Sequence, residues 1–220
     1  MKRNVDMNEI SDGERYRSGD LVKIGCDGCG GNASCCKNTA DTVILDPYDV
    51  FQICTETGKS FSVLADEAVF ALRLVDGVIL PYLNKNESGS CVFLSDGKCG
   101  IYDARPGFCR LFPLGRIYEN GSFSYFLQIK ECPCTHAVKT KVRKWIGIGD
   151  IDKYEDYVLA WHNFLEKAGN AITSGSYDEE SIKKLEMLIL GTFYSKPYAA
   201  DAGFYGQFYE RLSEISGLLR

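Results

Sequence analysis

Ten cysteines, all placed before position 135, constrain this 220-residue chain more than any other feature. They run as Cys26-x2-Cys29-x5-Cys35-Cys36, then Cys54, then Cys91-x7-Cys99-x9-Cys109, then Cys132-x-Cys134. Many spaced cysteines serve either as disulfide staples or as thiolate ligands. Staples belong to small secreted domains that lack a sufficient core. This chain is 45% hydrophobic and long enough to build a core unaided. Coordination of a soft or borderline metal is the explanation that remains.

The segment Met1 to Asp20 is polar and carries no apolar run of the kind a secretory signal needs. No stretch approaches the roughly 18 apolar residues that span a bilayer. The expected setting is therefore the cytoplasm, with no membrane partner, where thiols stay reduced. The formal net charge of −5, with no long basic stripe, argues against a nucleic-acid partner, because phosphate binding rests on clustered Lys and Arg.

Local patterns point to an α+β chain in three parts. A polar segment covers 1–20, a cysteine-cluster domain of short strands, hairpins and helices covers 21–138, and a helical C-terminal region packed on it covers 139–220. Asp46-Pro47 is an N-cap followed by proline at the first helical position, and Gly58 suits the stop. Ser62 to Phe70 reads as a second short helix. Asp76-Gly77 and Asn120-Gly121 are hairpin dipeptides. Beyond the latter, Phe123, Tyr125, Leu127 and Ile129 alternate with polar neighbours as a half-buried strand, Phe126 excepted. Three apolar stripes at helical spacing follow. The first is Ile151, Tyr154, Val158, Trp161, Leu165 and Ala168. The second is Ile182, Leu185, Ile189 and Phe193, opened by a capping box at Ser176. The third is Phe204, Phe208, Leu212, Ile215 and Leu219.

Cys26 and Cys29 lie in Gly25-Cys26-Asp27-Gly28-Cys29-Gly30-Gly31. A two-residue spacer lets both sulfurs reach one ion from a tight turn. The glycines permit positive φ and leave N–H groups free to point at sulfur. No strand-then-helix pattern flanks the pair as a thioredoxin-like redox site requires. Cys35 and Cys36 are adjacent, and adjacent residues of an extended chain point to opposite sides. Either one of them ligates, or the two divide between centres. Cys91 and Cys99 pose a similar choice. If Asp96-Gly97 is a strict two-residue loop, Leu94 lies opposite Cys99, and extending the register places Cys91 opposite Tyr102, on the other face. A bulged or longer loop brings the two cysteines together.

These cysteines, with Cys91-Val92-Phe93-Leu94, Cys99-Gly100-Ile101-Tyr102 and the stretch Arg105-Pro106-Gly107-Phe108-Cys109-Arg110-Leu111-Phe112-Pro113, resemble the YkgJ-like cysteine-cluster family. The resemblance covers about residues 20 to 135, and it implies a zinc- or iron-chelating domain. It implies as ligands Cys26, Cys29, Cys35, Cys36, Cys91, Cys99, Cys109 and Cys132, enough for two four-thiolate sites or one larger cluster. A related cluster occurs in flagellin lysine N-methylases, which implies an iron–sulfur centre as the alternative cofactor. A four-thiolate site carries about −2 with zinc or with an oxidised four-iron cluster. Arg105 and Arg110, with Arg116 as a third, stand beside Cys109 in sequence and are the candidates to offset that charge, although pairing of Arg105 and Arg110 with surface carboxylates is an equal alternative.

Cys54, alongside Val50, Phe51 and Ile53, reads as a small buried hydrophobe. Cys134 and His136 are fallback ligands, and His162 is a surface or boundary residue on its helix. With two histidines, no nucleophile–base–carboxylate triad is visible. No phosphate loop or dinucleotide fingerprint occurs. Three readings of function follow. The first is a metal-binding protein holding zinc or iron. The second is an iron–sulfur enzyme of redox or group-transfer chemistry on a protein. The third is a metal-stabilised module that binds a protein partner through an exposed face of 151–173.

Overall fold

A computed structural model of the protein describes residues 6–25, 36–37, 42–129, 131, 137–175 and 177–218. In chain order the elements are α1 (Met7–Ile10), β1 (Leu21–Ile24), α2 (Pro47–Thr57), α3 (Phe61–Asp66), β2 (Phe70–Val75), β3 (Val78–Leu83), β4 (Leu94–Ser95) and β5 (Lys98–Cys99). A 3-10 turn (Tyr102–Ala104) leads to α4 (Gly107–Leu111), β6 (Leu114–Glu119), β7 (Ser122–Leu127), β8 (Val138–Lys141) and α5 (Val142–Ile146). The helices α6 (Ile151–Thr173), α7 (Glu179–Leu190) and α8 (Phe204–Ser216) complete the chain, with a π turn over Gly191–Ser195. The α+β class expected from the sequence is what folds. No described helix is long and apolar enough to cross a membrane.

The described strands pair as four separate antiparallel ribbons: β1 with β8, β2 with β3, β4 with β5 and β6 with β7. Three of them close on two-residue loops whose residues both take positive φ: Asp76-Gly77, Asp96-Gly97 and Asn120-Gly121. That geometry matches the right-handed twist of paired strands, which is why Asp-Gly and Asn-Gly occur there. The N-terminal stretch is tied in as well. Tyr16 and Tyr125 exchange backbone hydrogen bonds of 2.8 Å, and Asp12 N–H donates to Leu127 O, so residues 11–16 run along β7. The pairing of β1 with β8 spans the whole cysteine-bearing stretch, and no local sequence pattern announced it.

α2 begins as expected. Asp46 caps it, the Asp46 and Asp49 side chains each accept from the other's backbone N–H, and Gly58 stops it at φ 67°. The helix read over 62–70 ends earlier, at Asp66. Ala68 turns left-handed, Val69 N–H closes back on Leu64 O, and β-rich Phe70 opens a strand instead. The second C-terminal helix is capped by Asp178, whose side chain accepts from Ser181 N–H, and Ser176 lies outside the described residues. Phe193 belongs to the π turn beyond that helix. β7 ends at Leu127, and Phe126 is buried on its far face, where Gly115 of β6 leaves room for its ring.

The C-terminal helices pack through aromatic rings. Tyr157 meets Phe208 edge-on at 4.6 Å, and Trp161 meets Phe193 at 4.9 Å. Tyr48 of α2 stacks on Tyr205 of α8 at 5.7 Å, which joins the cysteine-bearing half to the helices. Phe193, Phe204 and Phe208 are thus core, as their spacing implied. Arg211 is 4% exposed, and it binds three backbone carbonyls. Its guanidinium donates to Thr192 O, Lys196 O and Pro197 O and lies 3.6 Å over the Tyr198 ring.

Candidate metal centre

Five cysteines lie among the described residues: Cys36, Cys54, Cys91, Cys99 and Cys109. Cys26, Cys29, Cys35 and Cys132, with the fallback candidates Cys134 and His136, lie outside them. Among the described residues no three His, Cys, Asp or Glu side chains come together as a metal-holding group.

The backbone nevertheless draws two of the cysteine groups to one place. Cys91 N–H donates to Cys36 O at 2.7 Å, which joins the end of the first group to the start of the second. Cys91 is buried, and Cys36, Cys99 and Cys109 are half-buried against the core. β4 and β5 adopt the strict register, with Leu94 opposite Cys99. The ladder stops after two pairs, because Leu94 N–H turns back onto Cys91 O at 2.9 Å and Tyr102 enters the 3-10 turn. Extending the register to pair Cys91 with Tyr102 therefore does not hold, and the opposite-face argument loses its basis.

Cys109 rides on α4, a helix of five residues. So short a helix has little stability of its own and takes its orientation from its tethers. At its start Asp49 Oδ1 accepts from Gly107 N–H at 2.7 Å. At its end Trp145 Nε1 donates to Leu111 O and Phe112 O at 3.3 and 3.2 Å, just before the cis Phe112–Pro113 bond. Arg110 Nε donates to Arg105 O at 2.8 Å, and Arg110 Nη2 donates to Asp103 O. Arg105 Nε donates to Tyr102 O, and its guanidinium lies 3.7 Å over the Tyr102 ring. Both arginines are thus spent on backbone carbonyls of the loop before α4. Their positive charge is held beside Cys109 in the chain, and among the described residues neither pairs with a carboxylate.

Arg116 is directed elsewhere. Its Nη2 donates to Tyr154 OH at 3.1 Å, inside a box with Phe123 and Tyr125, and its buried Nε has no hydrogen-bond partner. Cys54 sits half-buried on α2, where burial pushes its thiol up to about 11. A thiol held that far from ionisation is a poor nucleophile and a poor ligand at neutral pH. His162 is more enclosed than a surface residue, with its ring stacked on Tyr118 at 3.6 Å.

Sequence reasoning missed Asp49. A carboxylate at the third position of a helix that opens Asp-Pro reads as part of the cap, and it is. Its second bond, to Gly107, reaches across the chain and has no local signal.

Cys91, Cys99 and Cys109 stand on a turn, a short hairpin and a tethered helix, with the Cys36 carbonyl joined to the first, in a cysteine-rich α+β protein. The sequence model of the CxxCxxCC family, described as a "putative zinc- or iron-chelating domain", matches residues 25–134, half of the chain, and the protein belongs to that family. No curated protein and no solved structure matches the chain.

Proposed function

We propose that the protein binds zinc or iron through the thiolates of Cys26, Cys29, Cys35, Cys36, Cys91, Cys99, Cys109 and Cys132, in the cytoplasm, where cysteines stay reduced. The observation that carries this reading is the family match over 25–134, which spans all eight residues. The 2.7 Å bond between Cys91 N–H and Cys36 O supports it, because a shared centre needs the two groups adjacent. Residues 21–138 are the binding unit, and the helices of 139–220 buttress it. Arg105 and Arg110 offset the charge of the thiolates. When bound, the ion would supply a rigid anchor that holds the cysteine-bearing segments together.

Metal analysis of protein purified without air, with an absorbance spectrum, tests the reading. At least one equivalent of zinc or iron is expected. Less than one equivalent of any transition metal overturns it. The spectrum separates the ions, since a zinc protein is colourless and an iron–sulfur protein is brown with broad absorbance near about 400 nm.

A further inference from the structure

We propose that Asp49 is a positioning residue for the Cys109 thiolate, acting through Gly107; the proposal rests on the metal reading above. Asp49 is 4% exposed. Its Oδ2 accepts from Asp46 N–H at 3.1 Å, and its own N–H donates to Asp46 Oδ1 at 2.8 Å. That reciprocal pair already completes the cap of α2. The shorter bond, 2.7 Å from Gly107 N–H to Oδ1, does nothing for α2. It fixes the first residue of α4, two positions before Cys109.

Gly107 is held from a second side. A Cβ at this position would run into the Tyr154 hydroxyl and would lie 3.6 Å from Asp49 Oδ1. Tyr154 is itself placed by Arg116 Nη2. The start of α4 is thus clamped between a buried carboxylate of α2 and a buried phenol of α6. Only glycine fits the clamp without displacing one of its jaws. The direction in which α4 presents Cys109 follows from that clamp and from Trp145 at the other end. Partners that orient a metal ligand change affinity by about 10- to 100-fold when removed.

The test uses the full chain, purified without air and loaded with cobalt(II) alone as the probe. Affinity is read by competition with a chromogenic chelator, and geometry by the thiolate-to-cobalt absorption bands. Asp49→Ala should bind cobalt about 10- to 100-fold more weakly, with altered bands. Gly107→Ala should move both readouts the same way. Asp49→Asn, which keeps an oxygen to accept from Gly107 N–H, should recover most of the affinity. Tyr194→Phe is the stability control. It loses the 3.0 Å bond to Leu45 O just before α2, so it should weaken the fold and leave the cobalt bands unchanged. Wild-type affinity and bands in Asp49→Ala, or an Asp49→Asn variant no better than Asp49→Ala, overturn the positioning role. Wild-type protein that takes up no cobalt overturns the metal reading itself. Should Asp49→Ala fail to fold, Gly107→Ala and Asp49→Asn decide the matter.

Discussion

The backbone N–H of Cys91 donates to the carbonyl of Cys36 at 2.7 Å, so two cysteine groups far apart in sequence share one hydrogen bond. Sulfurs carried by neighbouring backbones can serve one centre. Cys91→Ser should therefore lower metal content by about one equivalent, because a structural site uses four protein ligands. Cys54→Ser should leave metal content unchanged. Elemental analysis of the two purified variants makes the comparison. In the native protein Cys54 should also alkylate more slowly near neutral pH than it does in the urea-unfolded chain, since burial pushes its thiol up to about 11. Mass spectrometry after timed iodoacetamide treatment compares the two rates.

The Asp46–Asp49 pair should leave a mark on stability against pH. Burial raises both carboxyls above their ordinary range, and in Asp49 the neighbouring Asp46 charge adds to it. The folded state then holds a proton that the unfolded chain releases near pH 4. Stability from this pair is complete below that pH and is lost as pH rises through the raised folded value, by at most about 1.4 kcal/mol per pH unit per proton. Urea denaturation of metal-free wild type and Asp49→Asn across pH 4 to 7 measures the difference. The advantage of wild type over the variant should shrink as pH rises. A flat difference would count against a retained proton.

Arg211 holds three carbonyls at the end of the π turn while almost fully buried. Arg211→Ala strands those acceptors and should cost about 2–4 kcal/mol. Thermal unfolding of the variant gives the loss, and metal content should not follow it, because Arg211 touches none of the cysteines recorded in the structure.

Gly115 faces Phe126 across the β6–β7 ribbon, and a methyl group there would collide with the ring. Gly115→Ala should destabilise the protein by about 1–3 kcal/mol, the ordinary cost of overpacking. Gly115→Ala combined with Phe126→Leu should recover part of it, and a double-mutant cycle in denaturant decides whether the two sites are coupled.

Signals carried within a few residues were legible in the sequence. Asp46, Pro47 and Gly58 bounded α2, the Asp-Gly and Asn-Gly dipeptides placed hairpin loops, and apolar spacing laid out α6 and α8. What needed tertiary knowledge was not. Val69 and Phe70 continued an apolar pattern that suited a helix, and the positive φ of Ala68 ended it. Cys91 could be placed on a face only if β4 reached it, and a turn onto Cys91 O prevents that. For the proposed centre, spacing and the family resemblance nominated the cysteines, whereas the packing of Asp49, Gly107 and Tyr154 ahead of Cys109 joins three distant segments and leaves no periodic trace.

The ribbon of β1 and β8 has a consequence for the energetics of metal uptake. Leu21 stands opposite Lys141 and Ile24 opposite Val138, so the chain leaves toward Cys26 and returns past Cys132 at adjacent strands, about 4.8 Å apart. The stretch between is a large closed loop whose ends already meet. Chain-closure entropy for bringing its two ends together is met by folding, before any ion arrives. An ion that then joins the first cysteines to the last cross-links a loop already tied at its neck. None of its binding energy would then be spent on bringing Ile24 and Val138 together.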